Sequence, residues 1–327
     1  MSHAPCYPLE FEPFFRPMPW GGHRLAGWVD SATLPSDPVG EAWLLSDHPL
    51  HVSRVAKGPL QGTTLHAMLS DFGSHLPGSS PRRFPLLIKL LDARENLSVQ
   101  VHPDDDAART WAPDEGGKTE AWLVLEADPD SAIYLGLKEG VSREDVARAM
   151  HDGTLTACLD ACRPRPGECY FVPAGAVHAL GGGLVVLEVQ QTSDATFRMY
   201  DWGRRDAQGR PRPLHEEAAL AVLRERFDNI GKQEPIRLAW PSAFDVRLRV
   251  RCPFFQMIEF LADQSGASAG LASPAILILL DGRIEIGWPD GSLTPRRGRA
   301  VLLPHGLEPV TVHAREACRF VLVLLGP

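Results

Sequence analysis

GECYFVPAGAVH at 167–178 decides the fold, because the chain repeats its pattern as GRAVLLPHGLEP at 298–309. Gly167, Pro173, Gly175 and His178 stand six, two and three residues apart, and Gly298, Pro304, Gly306 and Pro309 keep the same spacing. In each copy a run of strand-forming residues, CYFV or AVLL, ends at a proline that cannot extend a hydrogen-bonded ladder, and a glycine then supplies a turn. The simplest reading is one fold used twice. The first copy ends in a histidine, which can ligate a metal, and the second in a proline, which cannot.

Short apolar runs of about five to eight residues surround both copies: FPLLIKLLD (84–92), LSVQVH (97–102), AWLVLEA (121–127), AIYLGL (132–137) and GLVVLEVQ (183–190) around the first, then FFQMIEFLA (254–262), AILILLDG (275–282), RIEIGWPDG (283–291) and RFVLVLL (319–325) around the second. Gly, Pro, Asp and Asn separate them, and Asp281–Gly282 and Asp290–Gly291 read as hairpin turns. Helical patterns are few: 63–72, 104–111, 142–150 and 215–227, with Ser142 and Asp145 forming a capping box. The expected fold is mainly β, two jelly-roll barrels or sandwiches with a few helices, because helices do not alternate regularly with strands. Residues 1–228 read as the chemical domain, 229–242 as a linker, and 243–327 as a degenerate second β domain.

Composition bounds what such a protein can do. At 327 residues it can bury two cores, and a formal charge of −8 argues against an extended basic face for nucleic acid. No run of about 18 apolar residues and no secretory signal pattern is found, so a cytoplasmic location without membrane attachment is expected. Six scattered cysteines suggest reduced thiols, and Cys158 and Cys162 lack the second pair that a four-ligand zinc site requires.

Four residues form a candidate metal shell. Gln100 and His102 stand two apart on one strand and therefore project to the same face. Glu120 opens the next strand-like run, and His178 closes the repeated turn. Two imidazoles, a carboxylate and an amide oxygen suit zinc or another first-row divalent ion at about 2.0–2.2 Å. In the second copy Pro309 replaces the histidine, and the spacing of His305 and His313 does not restore the pattern.

These segments resemble the class I mannose-6-phosphate isomerases, of the short bacterial type, within the cupin superfamily. The resemblance is carried by PLLIKLLDARENLSVQVHPDD (85–105), GKTEAWLVLEA (117–127), GECYFVPAGAVHALGGG (167–183) and LEVQQTSDATFRMYDW (187–202), with weaker echoes in PMPWGG (17–22) and GEAWLLSDH (40–48). It implies two cupin-like barrels, and one Zn2+ per chain held by Gln100, His102, Glu120 and His178. It also implies an active-site Arg198, with Glu188 and Asp194 as acidic neighbours in the same motif and Lys118 in substrate handling or proton transfer. Two positions depart from the family pattern. Gly117 stands where longer members carry a histidine associated with ring opening, and Arg204 where they place a phosphate-binding lysine.

The implied reaction interconverts mannose 6-phosphate and fructose 6-phosphate by moving a proton between carbons 1 and 2 through an enediol-like state. Lys118 would serve as base if desolvation and nearby cations lowered its pKa; Glu188, Asp194 and a coordinated water compete for the role. Ser98, Arg204 and Lys89 are candidate phosphate contacts, although Lys89, within LLIKLL, could equally face solvent. The expected partner is a small sugar phosphate, on a monomer or weak homodimer. The rival readings are a non-catalytic, metal-dependent sugar-phosphate-binding cupin, which Gly117 favours, and an iron oxygenase, which Gln100 as a ligand disfavours.

Overall fold

The structure, a computed structural model, describes residues 7–30, 34–72, 83–206 and 208–326. Its architecture follows from strands that are buried on both faces. In the strand Glu120–Ala127 the side chains of Trp122 and Val124 pack in one apolar cluster while Ala121, Leu123 and Leu125 pack in another. The strand Leu184–Gln191 divides the same way, with Leu184 and Val186 on one side and Val185, Leu187 and Val189 on the other. Side chains alternate across a strand, so a sheet covered on both sides reads as a continuous apolar run.

Two seven-stranded antiparallel sheets carry this pattern. The first runs, in spatial order, Gly231–Gln233, Cys169–Val172, Glu120–Ala127, Leu184–Gln191, Leu86–Ala93, Glu41–Leu45 and Phe14–Arg16. The second runs Leu9–Glu10, Ala300–Leu303, Ala275–Asp281, Cys318–Leu325, Phe255–Ala262, Asp245–Arg251 and Ile236–Arg237. Their outer faces meet in one core that joins Ala121, Leu123 and Leu187 from the first sheet to Met257, Ile276 and Val321 from the second. A smaller sheet covers each inner face. In the first barrel it has five strands, including Val99–Val101, His178–Leu180 and Phe197–Tyr200; in the second it has four, including Ser268–Leu271 and Val310–Ala314.

The repeated motif does the same work in both barrels. Gly167 and Gly298 hold positive φ (88° and 69°) immediately before the strands Cys169–Val172 and Ala300–Leu303, and Gly175 and Gly306 hold it (86° and 78°) after the prolines. Each turn passes the chain from the large sheet to the small one. The segment 229–242 contributes an edge strand to each large sheet, Gly231–Gln233 to the first and Ile236–Arg237 to the second.

Four sequence expectations meet the structure differently. The capping box on the helix Arg143–His151 is present, with the Ser142 hydroxyl accepting from the Asp145 backbone. The Asp290–Gly291 turn closes a hairpin, pairing Trp288 with Gly291. The Asp281–Gly282 turn does not: Ala275–Asp281 belongs to the large sheet and Ile284–Trp288 to the small one, so the turn is a corner between sheets. Gly282, at φ 73°, is required there because a Cβ would collide with the Ala317 carbonyl oxygen. The helical pattern at 215–227 also stops early, at Val222, where the chain straps across the Gly175 turn and the Arg224 N–H donates to the Gly175 carbonyl at 2.9 Å.

Candidate active site

The ligand candidates come together because the small sheet aligns them. His178 pairs with Gln100 across the strands Val99–Val101 and His178–Leu180, and Arg198 pairs with Gln100 from the other side. His102 follows that strand directly, and its carbonyl accepts the Gly175 N–H at 2.8 Å, which ties the two histidine-bearing segments together. Glu120 lies on the facing large sheet, opposite Val172 and Gln190.

Each imidazole is oriented by its own backbone contact. Nδ1 of His102 lies 2.7 Å from the Ala195 carbonyl and Nδ1 of His178 lies 2.9 Å from the Ala176 carbonyl, so both rings donate from Nδ1 and present the Nε2 lone pair. The Nε2 atoms lie 3.6 Å and 3.4 Å from the two oxygens of Glu120. Ligand atoms of His102, Glu120 and His178 all fall within 4.8 Å of one another, and the three residues are buried. Burial pulls the His178 pKa down to about 4 and holds His102 well below its ordinary value, where the adjacent Lys118 acts in the same direction. Both rings are therefore neutral, the form that ligates metals.

Glu120 supplies the test of fit. Its Oε2 is buried without a well-directed hydrogen bond, and its nearest cationic neighbour is the Lys118 ammonium at 3.0 Å. Burial pushes the carboxyl pKa upward, against the attraction of Lys118. A buried carboxylate whose two oxygens each face an imidazole Nε2 is a donor set suited to a divalent cation. Gln100 adjoins it, with its amide 3.3 Å from His178 Nε2 and its Oε1 accepting from the Ser98 hydroxyl at 3.2 Å. Rotating the amide by half a turn would present oxygen in place of nitrogen.

Beside this cluster lies a cavity of about 300 Å³ lined by Gln100 and Lys118 together with Ser98, Lys89, Glu188, Asp194 and Arg198. Lys118 is buried, 3.1 Å from His102 Nε2. Lys89 faces inward: its ammonium is 3.3 Å from Glu188 and lies over the Trp43 ring, 5.2 Å from its centroid. Burial opposes that charge, but Glu188 and Glu41 outweigh it and raise the lysine pKa. Burial likewise opposes the Glu188 carboxylate, yet Lys89, Lys118 and a 3.0 Å hydrogen bond from Trp122 Nε1 keep its pKa low. Asp194 lies 3.6 Å from Arg16. Arg198 donates from Nη1 to the Pro213 carbonyl at 2.9 Å, while its Nε is buried without a hydrogen-bond partner. Burial, then Arg212 and Arg204 nearby, lower its pKa.

Arg204 stands apart from this group. Its guanidinium donates to Asp201 at 3.1 Å and to the Asn96 carbonyl at 2.7 Å, and it does not line the cavity. Arg16, Trp20, Glu41 and Arg212 do line it, and sequence reading assigned them no role. The one signal within reach was the PMPWGG and GEAWLL segments, which carry Trp20 and Glu41. Gly117 is packed against the start of the helix Asp105–Trp111: a Cβ there would lie 2.5 Å from the Asp105 nitrogen, so no larger side chain fits without moving that turn.

Two inward imidazoles and a carboxylate on the wall of an antiparallel barrel, opening to a cavity rich in charge, define a cupin-like enzyme with a site for a metal. Residues 9–127 match the family described as phosphomannose isomerase type I, catalytic domain. A mannose-6-phosphate isomerase, ManA, of Bacillus subtilis is 33% identical over 313 residues, covering 95% of this chain and 97% of its own length. One from Streptococcus mutans is 36% identical over 296 residues, covering 88% and 90%. A crystal structure of a Bacillus subtilis mannose 6-phosphate isomerase superposes with a TM-score of 0.88 at 30% identity, covering 97% of this chain and 99% of that one. The chain belongs to the type I phosphomannose isomerase family and is an isomerase. Among the described residues, no helix is long and apolar enough to cross a membrane.

Proposed function

We propose that this protein interconverts mannose 6-phosphate and fructose 6-phosphate with one Zn2+ held by Gln100, His102, Glu120 and His178. The observation that carries the reading is the convergence of two oriented imidazoles on the buried Glu120 carboxylate beside the cavity. The relatives carry the names of enzymes for this sugar phosphate, and the mixed nitrogen and oxygen donor set suits zinc. When bound, the cation polarises the sugar oxygens beside the carbons that exchange the proton.

The surrounding residues then divide the work. Lys118, buried beside His102 and Glu120 on the cavity wall, acts as the neutral amine. It takes the proton from carbon 2 of the aldose, becoming the ammonium, and returns it to carbon 1 while the proton on the carbon 2 oxygen passes to the carbon 1 oxygen. Arg198, on the cavity lining, sets a fixed cation near the sugar oxygens. Glu188 is held ionised by Lys89 and Trp122, which makes the Lys89–Glu188 pair a neutral part of the cavity lining; Asp194 orients sugar hydroxyls and Ser98 contacts the phosphate. The first barrel is the catalytic body and the second its support. A cytoplasmic setting agrees with the five free cysteines among the described residues, and a monomer or weak homodimer completes the reading.

Incubating the purified protein with mannose 6-phosphate should yield fructose 6-phosphate. The yield should fall to background after chelation and return on adding Zn2+. Turnover that survives complete metal removal, verified by elemental analysis, would overturn the metal assignment; metal-replete protein without turnover would overturn the reaction. Lys118→Met should abolish exchange of the carbon 2 proton with solvent deuterium while zinc content stays unchanged.

A further inference from the structure

We infer that Arg212, clamped by Asp201, is the cation that selects substrates carrying a phosphate. The inference rests on the sugar-phosphate reading above and gives to Arg212 the role that the family resemblance implied for Arg204.

Charge is spread unevenly over the cavity. Its three lining carboxylates, Glu41, Glu188 and Asp194, already have basic partners. Arg16 lies 3.3 Å from Glu41 and 3.6 Å from Asp194, and Lys89 lies 3.3 Å from Glu188. That set is close to neutral. The same lining carries Arg198 and Arg212, and the carboxylate paired with Arg212 is Asp201, which also pairs with Arg204. One carboxylate between two guanidiniums, with Arg198 beside them, leaves a surplus of positive charge facing the cavity. A doubly charged phosphate is the part of the substrate that such a surplus would attract.

Geometry separates the two candidate arginines. Arg212 donates from Nε to Asp201 Oδ2 at 2.7 Å and from Nη2 to Oδ1 at 2.5 Å, a two-pronged grip that fixes the plane of the guanidinium and leaves Nη1 for a ligand. It lies between Pro211 and Pro213 and lines the cavity, with 26% of its side chain exposed. Arg204 gives Nη1 to Asp201 and Nη2 to the Asn96 carbonyl, which turns its donors away from the cavity. Asp201 is therefore a positioning residue, and Arg212 the group in contact with phosphate. The hydroxyls of Ser98 and Thr196 line the same cavity and can complete the oxygen contacts.

The test uses metal-replete full-length protein and two probes, mannose 6-phosphate turnover and calorimetric binding of inorganic phosphate. For Arg212→Ala, KM should rise by about 10- to 100-fold with kcat little changed, and phosphate affinity should fall by a similar factor. Arg212→Lys should recover part of the phosphate affinity, and Asp201→Asn should weaken it less than Arg212→Ala does. Circular dichroism identifies any variant that fails to fold; the lysine variant, which keeps the charge and most of the stem, then carries the comparison. Unchanged phosphate affinity in folded Arg212→Ala, or a larger loss in Arg204→Ala, would overturn the proposal. If the unaltered protein does not turn over mannose 6-phosphate, the sugar reading fails, while calorimetry still decides whether Arg212 holds phosphate.

Discussion

The two barrels share a strand order yet spend their interiors differently. In the first large sheet Glu120 pairs with Val172 at the end of the motif strand; in the second, Ala275 pairs with Leu303 at the corresponding place. The first begins its next strand with His178, and the second places Pro309 just before Val310. The strand facing the ligand turn reads VQV in the first barrel and SAGL in the second. With no donor set to house, the second interior is filled by apolar side chains, including Phe260 and Phe320 stacked with centroids 4.7 Å apart. Buried polar groups cost free energy unless they are paired or bound, so a barrel freed of ligands settles on hydrocarbon. The backbone is the constant, and a few inward positions determine whether it carries chemistry.

The comparison can be broken most sharply at His178. His178→Ala brings the first barrel toward the second, and should lose zinc and turnover together, well beyond the ~10- to 100-fold cost of disturbing an outer partner of a metal site. Stoichiometric zinc retained by the purified variant would contradict the shell. Next in size is the reverse change. Ala275→Glu places a charge in an apolar interior without His178 or Gln100 counterparts, and should cost about 3–5 kcal/mol in denaturant unfolding while binding no metal. A well-folded variant that acquires metal would show the two barrels to be more alike than their interiors suggest.

Smaller changes sharpen the contrast within the first barrel. Trp122→Phe removes the donor to buried Glu188 and should destabilise by about 1–3 kcal/mol and lower kcat, read from chemical denaturation and steady-state kinetics. Ser142→Ala, at the cap of the outer helix Arg143–His151, should cost about 1 kcal/mol and leave kcat and KM unchanged. An effect on turnover there would mean that the helix is coupled to the site.

Much of this was legible in the chain because its signals are local. The repeated Gly, Pro, Gly spacing located two equivalent corners, and the two-residue interval from Gln100 to His102 placed both on one segment beside the site. The strands buried on both faces were readable as continuous apolar runs, and Lys89 within LLIKLL belongs to such a strand, pointing into the barrel at Glu188. What escaped was determined by distant partners. Asp281–Gly282 has the composition of a hairpin, but which sheet each flanking strand joins depends on Ala300–Leu303 and Val310–Ala314. The helix after His215 ends at Val222 because the Gly175 turn claims the next residues, and no periodicity records that. Arg212 lies eleven positions after the Asp201 that orients it, in a proline-flanked loop with no regular pattern to read.

The edge strands of the two large sheets come from unexpected parts of the chain. Leu9–Glu10 completes the sheet built from the last third of the sequence, whereas Gly231–Gln233, from beyond the first barrel, completes the other. On the ribosome, the early residues must therefore wait for Val301 and Leu302 before their backbone finds its partners, so closure of the second sheet is among the last events of folding. Scission between the barrels would strip Ala300–Leu303 of its Leu9–Glu10 partner and expose both halves of a shared oily face, so neither barrel is self-sufficient despite the doubled plan.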